Sequence, residues 1–499
     1  MSETARPDPI RPDATADPAA PHALRRLASV ALDALADGAA ARGGPLPAGG
    51  PEAVAARTRA RCVPILPEEG LPVEEALYGV ARAAAEGAAD PSAPHCVAHL
   101  HTPPLAVAAA ADLAASALNP SMDSWDQAPA AAVVEDEVTA VLARLVYAGR
   151  PAPDAVITSG GTESNLVALL LFRERALAAG ARAPRVFVGA NAHHSVRRAA
   201  WLLGLPEPVV VDCPGGRMDP AALGRALAAH AGRDGSPALV AATAGTTDEG
   251  LVDPLPELAE VARAHGAELH VDAAYGGPLL FSERLAPRLA GIEHAVSVTY
   301  DLHKLGWQPV AAGVLAVADT ALLEPLSLTA DYLNADDDTE AGLPDLLGRS
   351  IRTSRRPDAL KIAATLRALG RRGMGGAVEH CVGVAEEFAR AVDAHPALRR
   401  HAGSPGISTV LFRPVAADAL AATAGEEAGD ELVAGIRREL LAEGRAVLGR
   451  ARVADGDGRR RLWLKVTLLH PRTTAADLDA LLKLVAERAE NPAPAGTGH

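Results

Sequence analysis

Lysine is scarce in this 499-residue chain, and one lysine stands where its amine could take part in a reaction. Only four of the 48 basic residues are lysines, and Lys304 is the only one among the first 360 residues. It lies in the segment DLHKLGWQP at 301–309, beside His303. A lysine amine can act as a neutral nucleophile, whereas arginine stays protonated. Because solvated surface lysines are common, its scarcity singles out Lys304 only together with the segments described next.

A glycine-containing segment, TSGGTESN at 158–165, follows an apolar run and opens a predicted helix. Its glycines let the backbone approach a ligand, and free N–H groups at a helix start bind anions. Thr162 and Ser164 would add hydroxyl donors. An ordinary turn with a helix cap explains this segment equally well by itself. It is neither a dinucleotide fingerprint nor a Walker loop, so a dinucleotide or Mg-NTP is not indicated.

Two further segments carry side chains that suit a flat, charged ring. Asp272, in HVDAAYGG at 270–277, ends an apolar run, where a carboxylate is costly to bury unless it is paired. A protonated ring nitrogen would pair it, and Ala273 and Ala274 leave room for the ring. His193 follows another apolar run and is adjacent to His194. A solvated strand-end or helix-capping aspartate and a structural histidine are the alternative interpretations.

Together these segments predict a cofactor. A phosphate cradle, a histidine to stack on a ring, a carboxylate for a pyridinium nitrogen and an amine for a Schiff base are what pyridoxal 5'-phosphate (PLP) requires. Each piece is weak alone, but each follows a predicted strand, where ligands of open α/β sheets bind. The cluster His95, His99 and His101 lacks a spaced carboxylate or cysteine partner, so we predict no metal site.

The elements that would position these residues are seven short apolar runs, most of them rich in β-branched residues. They lie at 155–158, 185–189, 208–212, 238–244, 268–274, 295–300 and 312–318. Alanine-rich helical stretches separate several of them, which predicts a mostly parallel sheet covered on both faces. The sixth and seventh runs are joined by the short polar segment that carries Lys304, where we expect no helix.

The rest of the chain predicts the domain organisation. Amphipathic helices are expected at Ala23–Asp37 and Val73–Glu86, a long polar loop at 320–350, and short strands near 407–414 and 461–470. We predict a disordered tail at 1–20, an N-terminal helical segment at 21–95, a large PLP-binding domain at 96–356, a small α+β C-terminal domain at 357–490, and a second disordered tail at 491–499.

Composition restricts the class of protein. The chain is 49% hydrophobic and 22% charged, which is enough apolar content for a large core. It has no apolar run long enough for a membrane span and no secretory signal, so we expect no membrane partner. Four widely spaced cysteines fit reduced thiols in the cytoplasm. The net charge of −14 argues against a nucleic-acid partner.

These residues resemble the PLP-dependent group II amino-acid decarboxylases of fold type I. The resemblance runs from about residue 70 to 375 and is greatest to the branch of diaminobutyrate and lysine decarboxylases. The segments that carry it are AHLHTPP at 98–104, ALNPSMDSWDQAPAA at 117–131, DLHKLGWQP at 301–309 and the run at 331–361. One departure lies after the lysine, where Leu305 and Gly306 replace a bulkier pair.

The resemblance implies a role for each matching residue. It makes Lys304 the Schiff-base lysine, His193 the ring-stacking histidine, and Asp272 the partner of the ring nitrogen. It places Gly161, Thr162, Thr246, Ala274 and His303 around the cofactor. It places Thr102 near the substrate carboxylate, and Tyr332 on a mobile loop near the reacting carbon. The segment with Asp123, Trp125 and Asp126 would reach the substrate from the partner subunit of a homodimer, and that contact would bury Met122 and Trp125. Aspartates that cap a helix or lie in the interface are the alternative interpretation.

The expected fold is therefore α/β of fold type I, and the expected reaction is α-decarboxylation of an L-amino acid to its amine and CO₂. The substrate is an open choice at this stage, with 2,4-diaminobutyrate, ornithine and lysine as diamino acids that acidic residues would suit. PLP enzymes break whichever Cα bond is aligned with the ring, so an aminotransferase or a decarboxylase-oxidase is one alternative. A catalytically silent protein of this fold is the other.

Overall fold

The computed structural model describes residues 21–231, 236–328, 330, 333–403 and 405–491. The predicted tail at 1–20 and residues 492–499 of the second tail lie outside this range. Contacts divide the chain into two compact units. The first comprises Met1–Cys96 and Arg438–Val447, and the second comprises Val97–Arg437 and Leu448–His499.

The first unit contains three helices that precede the sheet. They are α1 (Pro21–Arg42), α2 (Gly50–Cys62) and α3 (Val73–Gly87). Helices α1 and α3 approach closely at Gly38, where a Cβ atom would lie 2.6 Å from the carbonyl oxygen of Arg82. Arg42 links the end of α1 to α3 and to the segment that follows it. Its guanidinium donates to the Ala85 carbonyl at 2.8 Å and to the Asp90 carboxylate at 2.7 Å.

The second unit is built on the predicted seven-stranded sheet. Its strands are β1 (Asp154–Thr158), β2 (Arg185–Gly189), β3 (Val209–Val211), β4 (Ala238–Thr243), β5 (Glu268–Asp272), β6 (Ser297–Asp301) and β7 (Gly313–Val317). Their order is β1-β7-β6-β5-β4-β2-β3. Strand β7 runs antiparallel to β1 and β6, and the other adjacent pairs are parallel. The connection between β6 and β7 is too short for the crossover that a parallel pair requires.

Helices cover both faces of this sheet. They are α5 (Pro129–Val146), α6 (Gly161–Ala178), α7 (His194–Leu202), α8 (Pro220–Ala231) and α9 (Leu255–Ala264), and they follow a further helix, α4 (Ala106–Leu118), in the chain. Leu258 of α9 packs in one buried cluster with Val240, whereas Phe172 of α6 packs in a second cluster with Leu239. Because Leu239 and Val240 are consecutive in β4, their side chains point to opposite faces, and each face has its own core.

The predicted loop at 320–350 is not wholly irregular. It contains the short helix α10 (Asp336–Glu340) and 3₁₀ turns at Thr320–Leu326 and Leu347–Arg349. Asn334 ties the segment together, because its side-chain amide donates to the Leu328 carbonyl and to the Asp345 carboxylate.

The C-terminal part of the chain contains four helices and a second sheet. The helices are α11 (Ala359–Ala394), α12 (Val415–Ala424), α13 (Glu426–Ala442) and α14 (Ala475–Glu490). The strands are β8 (Leu398–Arg400), β9 (Thr409–Pro414), β10 (Gly449–Ala454) and β11 (Arg460–Thr467). They form an antiparallel sheet in the order β10-β11-β9-β8. In the part of the chain that the structure describes, we find no helix both long and apolar enough to cross a membrane.

Candidate active site

The candidate site lies at the carboxyl edge of the large sheet. The parallel strands β1, β5 and β6 end there at Thr158, Asp272 and Asp301. Asp272 lies opposite Thr299 in the register between β5 and β6. In open α/β sheets this edge is where ligands bind.

The glycine turn between β1 and α6 contacts the lysine-bearing segment directly. A Cβ atom on Gly160 would lie 3.0 Å from Cε1 of His303. On Gly161 it would lie 3.0 Å from Cβ of Ala274 and 3.3 Å from Oδ2 of Asp301. The first N–H groups of a helix have no acceptor inside the helix, so the exposed Thr162 begins a turn whose amides are available to an anion.

A tight turn holds Lys304. The Leu302 N–H donates to the Ala312 carbonyl at 2.8 Å, and the Gln308 N–H donates back to the Leu302 carbonyl at 3.0 Å. Any side chain on Gly306 would place Cβ 2.5 Å from that same Leu302 oxygen, so the turn requires glycine there. The Lys304 amine reaches Oδ2 of the buried Asp301 at 2.9 Å, and its side chain is 18% exposed.

Asp272 is buried and receives two hydrogen bonds. The Asn165 side-chain amide donates to Oδ2 at 2.7 Å, and the Ala274 N–H donates to Oδ1 at 3.1 Å. Such bonds stabilise the ionised carboxylate at the end of an apolar strand. Asn165 belongs to the TSGGTESN segment, but reasoning from the sequence assigned it no role. Its partner lies 107 residues away, and no local pattern predicts that contact.

Two histidines border this carboxylate and the lysine. Burial lowers the pKa of His193, although the charges of Asp272 and Asp301 oppose that effect. Burial also lowers the pKa of His303, with Asp301 again opposing it. Both rings are therefore neutral near pH 7 and each carries one N–H.

The unsatisfied polar atoms of this region test whether PLP fits. Among the described residues, Oγ1 of Thr299, Oδ1 of Asp301 and Nδ1 of His303 are buried without a hydrogen-bond partner. They adjoin the glycine turn and the Lys304 amine. An amine, a strand-end carboxylate, neutral imidazoles and an anion-binding turn match the aldehyde, ring nitrogen, ring face and phosphate of PLP. The residues present fit that cofactor.

Thr246 and Thr102 are both buried, at 2% and 5% exposure. The Thr246 hydroxyl accepts from the Leu251 N–H at 3.0 Å, so it holds the turn that follows β4. Among the described residues, the Thr102 hydroxyl makes a single long contact, of 3.4 Å to the Pro103 carbonyl. Tyr332 lies outside the described residues.

The MDSWDQ segment at 122–127 makes several contacts within its own chain. Asp123 is buried, and its oxygens accept from Gln127 at 2.8 Å and from Ser354 at 3.4 Å within the same chain. Met122, which we expected to be buried by a partner subunit, is already fully buried beside Leu346. Trp125 is 36% exposed.

A large cavity lies elsewhere in the second unit. Its volume is about 1180 Å³, and its lining includes Glu249, Arg288 and His401 but none of the predicted site residues. Its charged walls are largely neutralised internally, as in the ion pair of 2.8 Å between Arg288 and Glu386. Convergent chemistry, rather than volume, therefore identifies the edge at Lys304 as the candidate active site.

Comparison with known proteins agrees with this site. A family model described as the pyridoxal-dependent decarboxylase conserved domain matches residues 59–415. The chain is 42% identical over 427 residues to L-2,4-diaminobutyrate decarboxylase of Rhizobium meliloti, covering 85% of this chain and 83% of that protein.

Solved structures confirm the predicted α/β fold. One is the glutamate decarboxylase domain of diaminobutyrate-pyruvate transaminase and L-2,4-diaminobutyrate decarboxylase from Vibrio parahaemolyticus. It matches with a TM-score of 0.80 and 30% identity, covering 94% of this chain and 96% of that one. The Oryza sativa protein TDC, solved with PLP and tryptamine, matches with a TM-score of 0.84 and 24% identity, covering 98% and 99%.

Proposed function

The chain belongs to the pyridoxal-dependent decarboxylase family, and we propose that its substrate within that family is L-2,4-diaminobutyrate. It is a PLP-dependent amino-acid decarboxylase, a carboxy-lyase that releases CO₂ and an amine. The observation that carries the substrate proposal is the likeness to the Rhizobium meliloti enzyme, which extends over most of both chains. That likeness also favours decarboxylation over the aminotransferase and silent-protein alternatives.

The residues at the carboxyl edge of the sheet have different roles in binding the cofactor. PLP, when bound, supplies a protonated ring that accepts the electrons left behind as CO₂ departs. We assign Lys304 to hold the cofactor and Asp272 to keep the proton on its ring nitrogen. Gly161 and Thr162 would bind its phosphate through the first turn of α6, and His193 would cover its ring.

Proton transfers are assigned to groups close to the lysine. The Lys304 amine must be neutral to attack a carbonyl, and Oδ2 of Asp301, at 2.9 Å, is positioned to take its proton. The neutral His193 carries one N–H and is a candidate donor to the reacting carbon. Tyr332 is the other candidate, on the strength of the family resemblance alone.

The cationic side chain of the substrate needs an acidic partner. Asp123 is buried and accepts two hydrogen bonds within its own chain, whereas Asp126 is exposed beside Trp125 and accepts one, from the Ser124 hydroxyl at 2.6 Å. We propose that Trp125 and Asp126 of one subunit border the active site of the other in a homodimer. The described cysteines are all free thiols, which supports a cytoplasmic location.

The substrate proposal is tested by measuring CO₂ release from a panel of L-amino acids with added PLP. The panel contains 2,4-diaminobutyrate, ornithine, lysine, glutamate and tryptophan. We expect the highest kcat/KM for 2,4-diaminobutyrate, with 1,3-diaminopropane as the amine. We expect Asp126→Asn to raise KM for that substrate more than Asp123→Asn does. A clear preference for glutamate or tryptophan would reject the substrate while leaving PLP-dependent decarboxylation intact.

A further inference from the structure

Asn165 lies at the centre of a buried hydrogen-bond network that reaches both the ring-nitrogen carboxylate and the ring-stacking histidine. Its side chain is fully buried in α6. Nδ2 lies 2.7 Å from Oδ2 of Asp272 and 2.9 Å from Oγ of Ser195, while Oδ1 lies 3.0 Å from Nε2 of His270. All three polar contacts of this amide are therefore to buried groups.

The hydrogen-bonding properties of Asp272 and His270 determine the orientation of the Asn165 amide and the tautomer of His270. An ionised carboxylate can only accept, so the Asn165 amide nitrogen must face Asp272 and its oxygen must face His270. That oxygen requires a proton on Nε2 of His270. Nδ1 of His270 lies 2.8 Å from the Ser297 hydroxyl and accepts from it. Burial lowers the pKa of His270 to about 4, which agrees with a neutral ring.

The second branch determines the tautomer of His193. The Ser195 hydroxyl accepts from Asn165, so its own hydrogen is free to donate to Nδ1 of His193 at 2.8 Å. The Ser195 backbone N–H donates to the same Nδ1 at 3.3 Å. Nδ1 is therefore an acceptor, and the single proton of the neutral His193 ring is on Nε2.

We propose that Asn165 is a positioning residue of the decarboxylase: its two amide hydrogens hold the Asp272 carboxylate against the cofactor and keep the His193 proton on Nε2. His270 in turn prevents the amide from turning over. This inference rests on the roles proposed above for Asp272 and His193. It adds that the Asn165 amide, oriented by His270 of β5, controls both Asp272 and His193.

Removing Asn165 would leave Oδ2 of Asp272 without a side-chain donor among the described residues. Oδ1 would retain only the longer contact from the Ala274 N–H, and the carboxylate would be free to rotate. A hydrogen bond to a charged group corresponds to roughly a 10- to 100-fold change in an equilibrium constant. We expect a change of that size in PLP affinity.

The test compares three variants with the parent holoenzyme. Asn165→Leu fills the same space without hydrogen-bonding groups, Ser195→Ala removes only the branch to His193, and Thr139→Val removes a buried hydroxyl of α5 as a matched control. The dissociation constant of PLP is measured by titration, and the pH dependence of kcat/KM is measured alongside it. The absorbance of bound PLP is followed against pH.

Asn165→Leu is expected to raise the PLP dissociation constant roughly 10- to 100-fold and to shift both pH profiles. Ser195→Ala is expected to shift the profile of kcat/KM while nearly preserving affinity, and Thr139→Val to change neither. If Asn165→Leu does not fold, Asn165→Ser replaces it with the same expectation. PLP affinity and pH profiles like those of the parent in the folded variant would overturn the proposal.

A further variant separates this inference from the proposed role of Asp272. If Asp272→Asn loses affinity and Asn165→Leu does not, Asp272 keeps its role and the positioning role of Asn165 is wrong. If Asp272→Asn itself binds PLP as the parent does, the role proposed for the carboxylate fails first. The positioning role then fails with it.

Discussion

Asp272 combines a negative charge with near-complete burial, and its charge is the property that the proposed chemistry requires. Asp272→Asn preserves the shape but replaces one accepting oxygen with an NH₂ donor, and it cannot stabilise a positively charged ring nitrogen. We expect weaker PLP binding and a loss in kcat of at least about 100-fold, because charge stabilisation of this kind is largest in the transition state. Steady-state kinetics at saturating PLP measures this. A kcat close to that of the parent would show that the charge of Asp272 is not needed for the cofactor ring to accept electrons.

His270 makes the folded chain sensitive to acid. Burial lowers the pKa of its ring to about 4, with the charge of Asp272 opposing that shift, against an ordinary value of 6.5. Below pH 6.5 His270 becomes protonated in the unfolded chain, whereas in the folded chain it becomes protonated only near pH 4. The free energy of unfolding should therefore fall as the pH drops through this window, by about 2 kcal/mol between pH 7 and pH 5.

Denaturant unfolding of the parent and of His270→Gln at these two pH values isolates that contribution. Glutamine keeps an amide donor for Asn165 but does not titrate in this range. We expect the variant to lose less stability than the parent on acidification. An equal loss in both proteins would mean that His270 already titrates normally in the fold.

At the scale of single residues, the sequence identifies those functional residues whose side-chain chemistry is unusual at their position. Lys304 and Asp272 could be singled out because a rare amine and a strand-end carboxylate are unusual where they occur. Asn165 and Asp301 could not, because an amide in a helix and an aspartate before a histidine are ordinary residues. Their importance arises from contacts that only the folded sheet creates, such as the bond from Asn165 to Asp272.

The long helix α11 contains a break that depends on one glycine. Gly370 has φ 63° and ψ 176°, a conformation that residues with a side chain rarely adopt. Gly370→Ala should lower the free energy of unfolding by about 1–3 kcal/mol through backbone strain. Gly376, in the same helix, has ordinary helical geometry with open space around its Cβ position. Gly376→Ala should therefore stabilise the protein by about 0.5–1 kcal/mol.

Thermal or denaturant unfolding of the two variants provides the comparison. Opposite signs are expected from the same chemical change within one helix. If both alanine variants are more stable than the parent, α11 is continuous in solution and the non-helical conformation assigned to Gly370 is wrong.

Elements with a marked apolar pattern were predicted well, and the others were missed for a common reason. Six strands of the large sheet are largely buried on both faces and, like the shorter β3 with its exposed Val210, appear as short apolar runs. Strand β10 alternates buried residues with exposed ones such as Arg450 and Arg452, so it has no apolar run. Strand β8 has only three residues, two of them arginines. Neither the tight turn at Gly306 nor the break at Gly370 has a sequence pattern beyond the glycine itself.

At the scale of the whole molecule, we predict a homodimer with an active site at each subunit boundary. Trp125 is the exposed aromatic residue that such a contact would bury, since Met122 is already inside its own chain. Trp125→Glu should shift the sedimentation coefficient towards the monomer and lower activity together. Trp201, which is 75% exposed, provides the control, and Trp201→Glu should change neither. A parent chain that sediments as a fully active monomer at low micromolar concentration would refute the shared site.

The central claim is that this chain decarboxylates an amino acid through PLP held at Lys304. The most direct measurement is the release of CO₂ and amine from 2,4-diaminobutyrate by the parent and by Lys304→Ala, with PLP added and no keto acid present. The account predicts equal amounts of CO₂ and 1,3-diaminopropane from the parent. From the variant it predicts almost none, together with loss of the visible absorbance of bound PLP. Parent-like turnover and absorbance in Lys304→Ala, or turnover in the parent only when a keto acid is supplied, would contradict it.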